Sequence, residues 1–397
     1  MLKRFILLIL MALIAFSPIP AEAIQYKGDL EANKSVTLPV QSAPPANPAS
    51  GKQKLYFKDD GAVYSLDASG NENPVDKAGF KNYLINGNFD LWQRGTSFTA
   101  MNTYGSDRWM HGSSGSATVS RQVFSPGQTD VPGEPTYFWR NNTTVAGATT
   151  TTLIGQRIER VRTLAGQTAT WSFWARNGTV KTFQLVILQN FGTGGSPSSN
   201  VTVLNQPQSI GTTWARYSFT VAVPSIAAKT IGTDNNDYIE FSIQETSFFS
   251  TFVLDTAQWQ VEKGSVASEF EQRSLGLELT LAQRYYEKSF PLNTNPGEGR
   301  INPPYVSVMT ITSSSRRGWI PFVTRKRASP VMTYYKAAGM TNDGDWNVRE
   351  VGSAWTERTP STNNANENGV AVQVFAVGAT TGQGMAAQGH WAADAEL

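Results

Sequence analysis

Across residues 82–273 the chain alternates apolar and polar positions in short runs, separated by clusters of Asn, Gly, Ser, Thr and Pro. Period-two alternation bounded by turn residues predicts half-buried strands, and the near absence of 3.6-residue periodicity argues against helices. Short half-buried strands are expected at 83–85 and 89–92, and further strands at 117–123, 137–141, 153–157, 168–175, 181–188, 214–221, 238–244 and 252–262, with turns at intervals of roughly 8–15 residues, the rhythm of a β-sandwich or jelly roll. In the run TATWSFWAR (168–176), Trp171 and Phe173 alternate with Ser172 and Trp174. One set should face a core and the other the surface of a sheet.

The flanks read differently. Residues 274–289 carry an apolar stripe of Leu275, Leu279, Ala282 and Tyr286, with Leu277, Leu281 and Tyr285 beside it. This predicts one helix, apolar on two sides and expected at a domain or subunit junction. After a Pro/Gly/Asn linker, strands at 305–312, 317–322, 331–335 and 370–377 and a last segment at 389–395 predict a second β domain. The run NNANEN at 363–368 reads as an exposed loop tip. Upstream, 54–66 reads as a hairpin turning at Asp60-Gly61, preceded by a short strand at 35–40 and a Pro-rich linker. A lone hairpin is marginal in water, so it needs a partner, with a neighbouring subunit as the candidate. Residues 1–23 resemble a secretory signal: Lys3 and Arg4, an apolar run, then Ala21-Glu22-Ala23. That run is shorter than the about 20 residues a spanning helix needs, so no membrane span is expected. The other reading is an uncleaved anchor. The expected organisation is thus 1–23 signal-like, 24–81 linker and hairpin, 82–273 jelly roll, 274–289 helix and 290–397 C-terminal β domain; the fold class is all-β.

Three stretches carry a resemblance. The opening Asn86-Gly87-Asn88-Phe89, Trp92-Gln93-Arg94-Gly95-Thr96-Ser97-Phe98 and Asp107-Arg108-Trp109 is similar to the start of a module recurring in phage and prophage tail-fibre and virion surface proteins. Gln258-Trp259-Gln260-Val261-Glu262-Lys263-Gly264 and Gln283-Arg284-Tyr285-Tyr286-Glu287-Lys288-Ser289 resemble its closing segments. The final run GHWAADAEL resembles the usual ending of such proteins. The module is a jelly roll resembling carbohydrate-binding modules of the 4/9 type. It implies a homotrimeric assembly with other virion proteins and attachment to host-surface glycans. It also implies a candidate structural Ca²⁺ site, with Asp90 and Asp255 at the matching acidic positions; Ca²⁺ takes six to eight oxygen ligands. No other cofactor is implied.

Composition narrows the chemistry. The 397 residues are long enough for two or three domains. A net charge of +2 with 16% charged residues provides no broad basic face for nucleic acid. With no cysteine, disulfides, thiolate metal sites and a Cys nucleophile are excluded. His111 and His390 are the only histidines, and no GxSxG-like elbow precedes either. The acids Asp90, Asp107, Glu240, Glu245 and Asp255 form no recognisable glycosidase pair, and Glu240 and Glu245 should point to opposite faces of one strand. No phosphate loop, HExxH or internal repeat is present.

Eleven tryptophans among 11% aromatics suit sugar stacking as well as a core. Trp174, Arg176, Gln184, Gln189 and Gln244 are the candidate sugar-binding residues, read as one exposed polar-aromatic face; the plainer reading packs Trp174 under a loop. The expected function is non-enzymatic attachment of a virion surface appendage to glycans. Alternatives are a purely architectural virion component and a secreted bacterial polysaccharide binder. Virion surface is the expected location, or extracellular if the chain is cleaved after Ala23.

Overall fold

The computed structural model describes residues 40–58, 63–70, 72–74, 80–246, 249–296, 305–312, 315–336, 344–350, 354–375 and 384–397. The signal-like segment, most of the 35–40 strand and the Asp60-Gly61 turn lie outside them. Contact density separates Met1–Asp76 from Lys77–Leu397.

In the first unit, β1 (Val40–Gln41), β2 (Lys54–Lys58), β3 (Val63–Leu66) and β4 (Glu72–Pro74) form a four-stranded sheet in that order. The hairpin β2–β3 pairs Tyr56 with Tyr64, whose rings stack at 5.9 Å and are buried. Its flanking strands come from the chain itself, β1 parallel to β2 and β4 antiparallel to β3.

The second unit starts with the jelly roll. Its strands are β5 (Ser97–Phe98), β6 (Thr103–Tyr104), β7 (Met110–His111), β8 (Ser116–Val123), β9 (Tyr137–Val145), β10 (Thr151–Glu159), β11 (Thr168–Asn177), β12 (Lys181–Asn190), β13 (Val201–Ile210), β14 (Ala215–Ala222), β15 (Tyr238–Glu245) and β16 (Phe252–Lys263). They form two six-stranded sheets, β13-β12-β15-β10-β7-β6 and β14-β11-β16-β9-β8-β5. Alternation placed eight of these strands; β13 was not expected. Its sequence VTVLNQPQSI contains Pro207, which a central strand would not tolerate, but β13 is an edge strand pairing only with β12 in this sheet.

Between the sheets lies one aromatic-aliphatic core. Trp259 on β16 is its hub, 5.2 Å from Trp171, 5.0 Å from Phe173 and 4.9 Å from Trp109 between ring centroids. Trp171 and Phe173 are fully buried, as the alternation within β11 requires. The opening stretch departs from expectation: 83–85 and 89–92 form no strands but a run of bends and turns. Asn86 and Phe89 adopt positive φ (58° and 55°), which irregular backbone accommodates and a strand does not. The stretch nevertheless closes the core, burying Leu84, Phe89, Leu91 and Trp92. It approaches β16 so closely that a Cβ on Gly87 would lie 2.2 Å from the Trp259 carbonyl oxygen.

The helix α1 spans only Leu275–Gln283. The expected continuation to 289 is overturned: Tyr286–Lys288 is β17, paired with β26 (His390–Asp394). Pairing with a strand about a hundred residues away outweighs the local helical spacing. Within the chain only Glu278 and Ala282 of α1 are buried, and Leu275 is exposed. The remaining strands are β18 (Tyr305–Thr312), β19 (Ser315–Pro321), β20 (Val331–Tyr335), β21 (Trp346–Glu350), β22 (Thr356–Arg358), β23 (Pro360–Asn366), β24 (Gly369–Phe375) and β25 (Gly384–Gln388). A sheet β17-β26-β20 packs on a sheet β22-β21-β25-β18-β19-β24-β23 around Ile320, Trp346, Val370, Val372 and Trp391. The run at 363–368 is therefore no loop tip: it belongs to β23 and the tight turn into β24, with Asn366 opposite Gly369. Among the described residues no helix is long and apolar enough to cross a membrane.

Two outcomes follow from this packing. Trp259→Ala should lower unfolding free energy by about 3–5 kcal/mol, read from denaturant unfolding curves, because it empties the hub of a close-packed core. His111 is fully buried, and burial pulls its pKa down from 6.5 to about 4. Below pH 6.5 the unfolded chain binds a proton there while the folded chain does not until about pH 4. Stability should thus be complete above pH 6.5 and decline toward pH 4, by roughly 3 kcal/mol from this group, a slope missing in His111→Asn.

Candidate functional site

A two-sheet sandwich has two outward faces, and here they differ in what covers them. On the β14-β11-β16-β9-β8-β5 sheet, Trp174 and Arg176 do share the outward side of β11, as expected. The β8–β9 connection folds over them. Phe124, Val131, Phe138 and Ala257 form a small buried cluster, with Trp174 and Trp214 packed against it. Gln258 fastens this cover by donating to the Pro132 carbonyl at 2.7 Å. The Arg176 guanidinium lies 5.1 Å from the Trp214 ring and donates to Asp255 at 2.9 Å. Further along the sheet, segment 265–268 lies over β14: Thr220 donates to the Ser265 carbonyl at 3.1 Å, and Arg216 to that of Ser268. Trp174 is therefore a buttress under a loop and not an open platform.

Among the described residues no segment covers the β13-β12-β15 part of the other sheet, whose outward Gln184, Val186, Leu188, Asn205 and Gln244 stay half-buried or exposed. Gln184 on β12 stands directly opposite Gln244 on β15. Gln184 donates from Nε2 to Asn205 Oδ1 of the edge strand, and Gln244 from Nε2 to Thr152 Oγ1 and Ser242 Oγ, both at 3.4 Å. These side chains remain partly or fully exposed at Gln184, Gln244, Thr152 and Asn205. Gly155 on β10 keeps the floor low: a Cβ there would lie 2.9 Å from Ser242 Cβ. Farther along, Arg157 pairs with Glu240 at 3.0 Å and lies 4.6 Å from the Tyr238 ring, and burial pushes the Tyr238 hydroxyl pKa up. The face ends where Arg157 Nη1 and Tyr104 Oη each donate to the Leu397 carbonyl at 2.6 Å. The surface is neutral at its centre, with amide donors and acceptors in a row, suited to hydroxyl-rich ligands.

Gln189 does not belong to it. Five positions from Gln184 on the same strand, it points to the opposite side, is 1% exposed, and donates to the Pro224 carbonyl at 3.0 Å. The five expected residues thus divide into a covered pair (Trp174, Arg176), an open pair (Gln184, Gln244) and one interior residue (Gln189). Asn205 and Thr152 were missed: Asn205 lies on the unexpected edge strand, and Thr152 precedes the expected start of β10.

The two acids expected to share a calcium ion are held apart in function. Both oxygens of Asp255 accept from guanidinium groups, Oδ1 from Arg140 at 2.6 Å, Oδ2 from Arg140 at 2.8 Å and Arg176 at 2.9 Å. A divalent cation cannot replace those partners without leaving two arginines beside it. Asp90 instead borders a small cleft with Asn88, Glu271 and Glu278, accepts from Asn88 at 3.2 Å, and has its pKa raised by burial. Arg273 occupies this neighbourhood, pairing with Glu271 at 3.4 Å and Glu278 at 3.2 Å. Among the described residues no group of three or more acids or histidines has metal-binding geometry. The residues do not fit a shared calcium cage.

No family model matches the chain, and no curated protein matches it. Among solved structures it is similar to the N-terminal cellulose-binding domain of a Cellulomonas fimi β-1,4-glucanase C (16% identity, 44% of this chain and 98% of that one, TM-score 0.25). It is also similar to a CBM22-1 xylan-binding domain of Paenibacillus barcinonensis (13% identity, 49% and 100%, TM-score 0.27). A third is the enzymatically active domain of tailspike protein 4 of bacteriophage CBA120 (15% identity, 46% of this chain and 21% of that one, TM-score 0.27). Likeness this distant transfers no ligand from those proteins to this chain.

Asp255→Ala leaves Arg140 and Arg176 without their shared acceptor and should destabilise the fold by about 1–3 kcal/mol. Melting curves with Ca²⁺ and with EDTA should show the same loss, because both oxygens of this carboxylate already accept from Arg140 and Arg176.

Proposed function

We propose that this protein is a non-enzymatic virion surface subunit, of tail fibre or appendage, that attaches to host-surface glycans through the outward face of β13, β12 and β15. The observation that carries the reading is the register pair Gln184–Gln244, flanked by Asn205 and Thr152, on the uncovered face of a jelly-roll sheet. Amide and hydroxyl groups on a rigid sheet can match sugar hydroxyls in number and polarity while paying little ordering entropy. The phage-type motifs support the virion setting. Repetition of a weak site in a trimer would supply avidity.

Binding in preference to hydrolysis is supported by the acids near the face. Glu240 is paired with Arg157, while Glu245, on the core side of β15, is paired with Lys181 at 3.0 Å, so the two cannot flank one glycosidic bond. A purely architectural role is the second reading, favoured by the exposed Leu275 and half-buried leucines of α1, a surface suited to a neighbouring subunit.

Affinity electrophoresis in gels containing hydroxyethylcellulose, xylan, galactan or purified lipopolysaccharide tests the reading. Wild type should be retarded by at least one, and Gln184→Ala/Gln244→Ala should weaken that retardation about tenfold or more, at about 1 kcal/mol per lost hydrogen bond. Because amides do not titrate, retardation should be constant between pH 5 and 9. A trimer that no polysaccharide retards would leave the architectural reading.

A further inference from the structure

The C-terminal sandwich also has an outward face, and it carries an aromatic side chain that its core does not use. Val370, Val372 and Val374 of β24 and Ile320 of β19 are buried against the three-stranded sheet. Alternation therefore turns Trp319, Ala371 and Gln373 the other way, and Trp319 is 48% exposed. No aromatic or cationic group stacks on its indole among the described residues. A Cβ on Gly369 would lie 2.4 Å from Trp319 Cζ2 and 2.7 Å from Cε2, so the indole rests against the glycine backbone while about half of the residue stays open to solvent.

The surroundings are polar and nearly neutral. Across the sheet Trp319 stands opposite Ala371, and Ala371 opposite Asn364; one step along, Gly369 stands opposite Asn366. Asn364 and Asn366 are both exposed. On the other side Arg317 donates from Nε to Gln373 Oε1 at 3.3 Å, leaving its terminal nitrogens free to donate outward. A flat, half-exposed indole edged by amides and a single guanidinium matches a pyranose, which has an apolar C–H face and a rim of hydroxyls. Apolar peptide surfaces would gain little from that polar rim, and one arginine is too little charge for nucleic acid.

We propose that Trp319, with Asn364, Asn366 and Arg317, forms a second glycan-binding platform on the C-terminal sheet, separate from the jelly-roll face. It rests on the proposed function for its ligand class and adds to it a second sheet face, so that one chain grips a polysaccharide at two places. Two weak sites on one chain raise effective concentration for a long polymer but not for a short oligosaccharide.

The test uses the full chain in the same four polysaccharide gels, with Trp319→Ala, Trp319→Tyr, Gln184→Ala/Gln244→Ala and all three alanine substitutions combined. Trp319→Ala should weaken retardation tenfold or more, Trp319→Tyr should retain part of it, and the combined variant should be weaker than either. Circular dichroism and light scattering confirm that each variant keeps the fold and oligomeric state of the wild type. Retardation of Trp319→Ala equal to wild type overturns the platform while sparing the jelly-roll site. Loss only in Trp319→Ala, with Gln184→Ala/Gln244→Ala unaffected, supports the platform and overturns the jelly-roll site. A folded Trp319→Ala that changes oligomeric state shows that a second copy covers the indole and overturns the proposal, as does a wild type that no polysaccharide retards.

Discussion

Two buried guanidinium groups, those of Arg94 and Arg108, impose the constraint on which the second unit is assembled. A charge removed from water costs several kcal/mol unless counter-charges and acceptors surround it, and here they come from four distant parts of the chain. Arg94 pairs with Asp394 at 3.0 Å, Glu396 at 3.3 Å and Asp107 at 3.8 Å, and lies 3.7 Å from the Tyr286 ring. Burial alone would pull its pKa down; Glu396, Asp394 and Asp107 outweigh that and hold it above its ordinary value. Arg108 pairs with Glu396, donates to the Arg157 carbonyl and lies 3.5 Å from the Tyr285 ring. The motifs WQRGTSF, DRW and QRYYEKS, which look unrelated along the chain, are thus one clamp around the final residues.

That clamp explains why α1 ends in a turn at Arg284-Tyr285 and gives way to the strand β17. Tyr285 and Tyr286 must present their rings to Arg108 and Arg94, and Glu287 must accept from Lys326 and from the backbone N–H of Val323 at 3.0 Å. A continuing helix would spread these side chains around its axis instead. The same clamp joins the jelly roll to the C-terminal sandwich through β26, so both outward sheet faces are carried on one compact unit.

The two faces of the jelly roll illustrate how covering decides exposure. Their strands are alike in composition, and each outward set mixes aromatic, amide and charged residues. One receives the β8–β9 loop, so its tryptophan becomes packing; the other receives no described segment over β13, β12 and β15, so its amides stay at the surface. Loop destination, not residue type, separates them.

Alternation alone located most strands and the all-β class, because period-two burial is a property of a strand and its immediate neighbours. It also placed Trp171 and Phe173 in the core and put Glu240 and Glu245 on opposite faces. It could not find β13, whose Pro207 is acceptable only because the strand lies at an edge, nor could it show that the apolar run after Asn82 turns with positive φ instead of extending. Gln189 shows that a parity count along β12 would have excluded one candidate, whereas the fates of Trp174 and Gln184 rested on long-range packing. Which residues faced in was written in local spacing. Which outward residues stayed uncovered, which carboxylates met arginines, and where the helix ended were decided by contacts across hundreds of residues, where pairing energy overrides local preference.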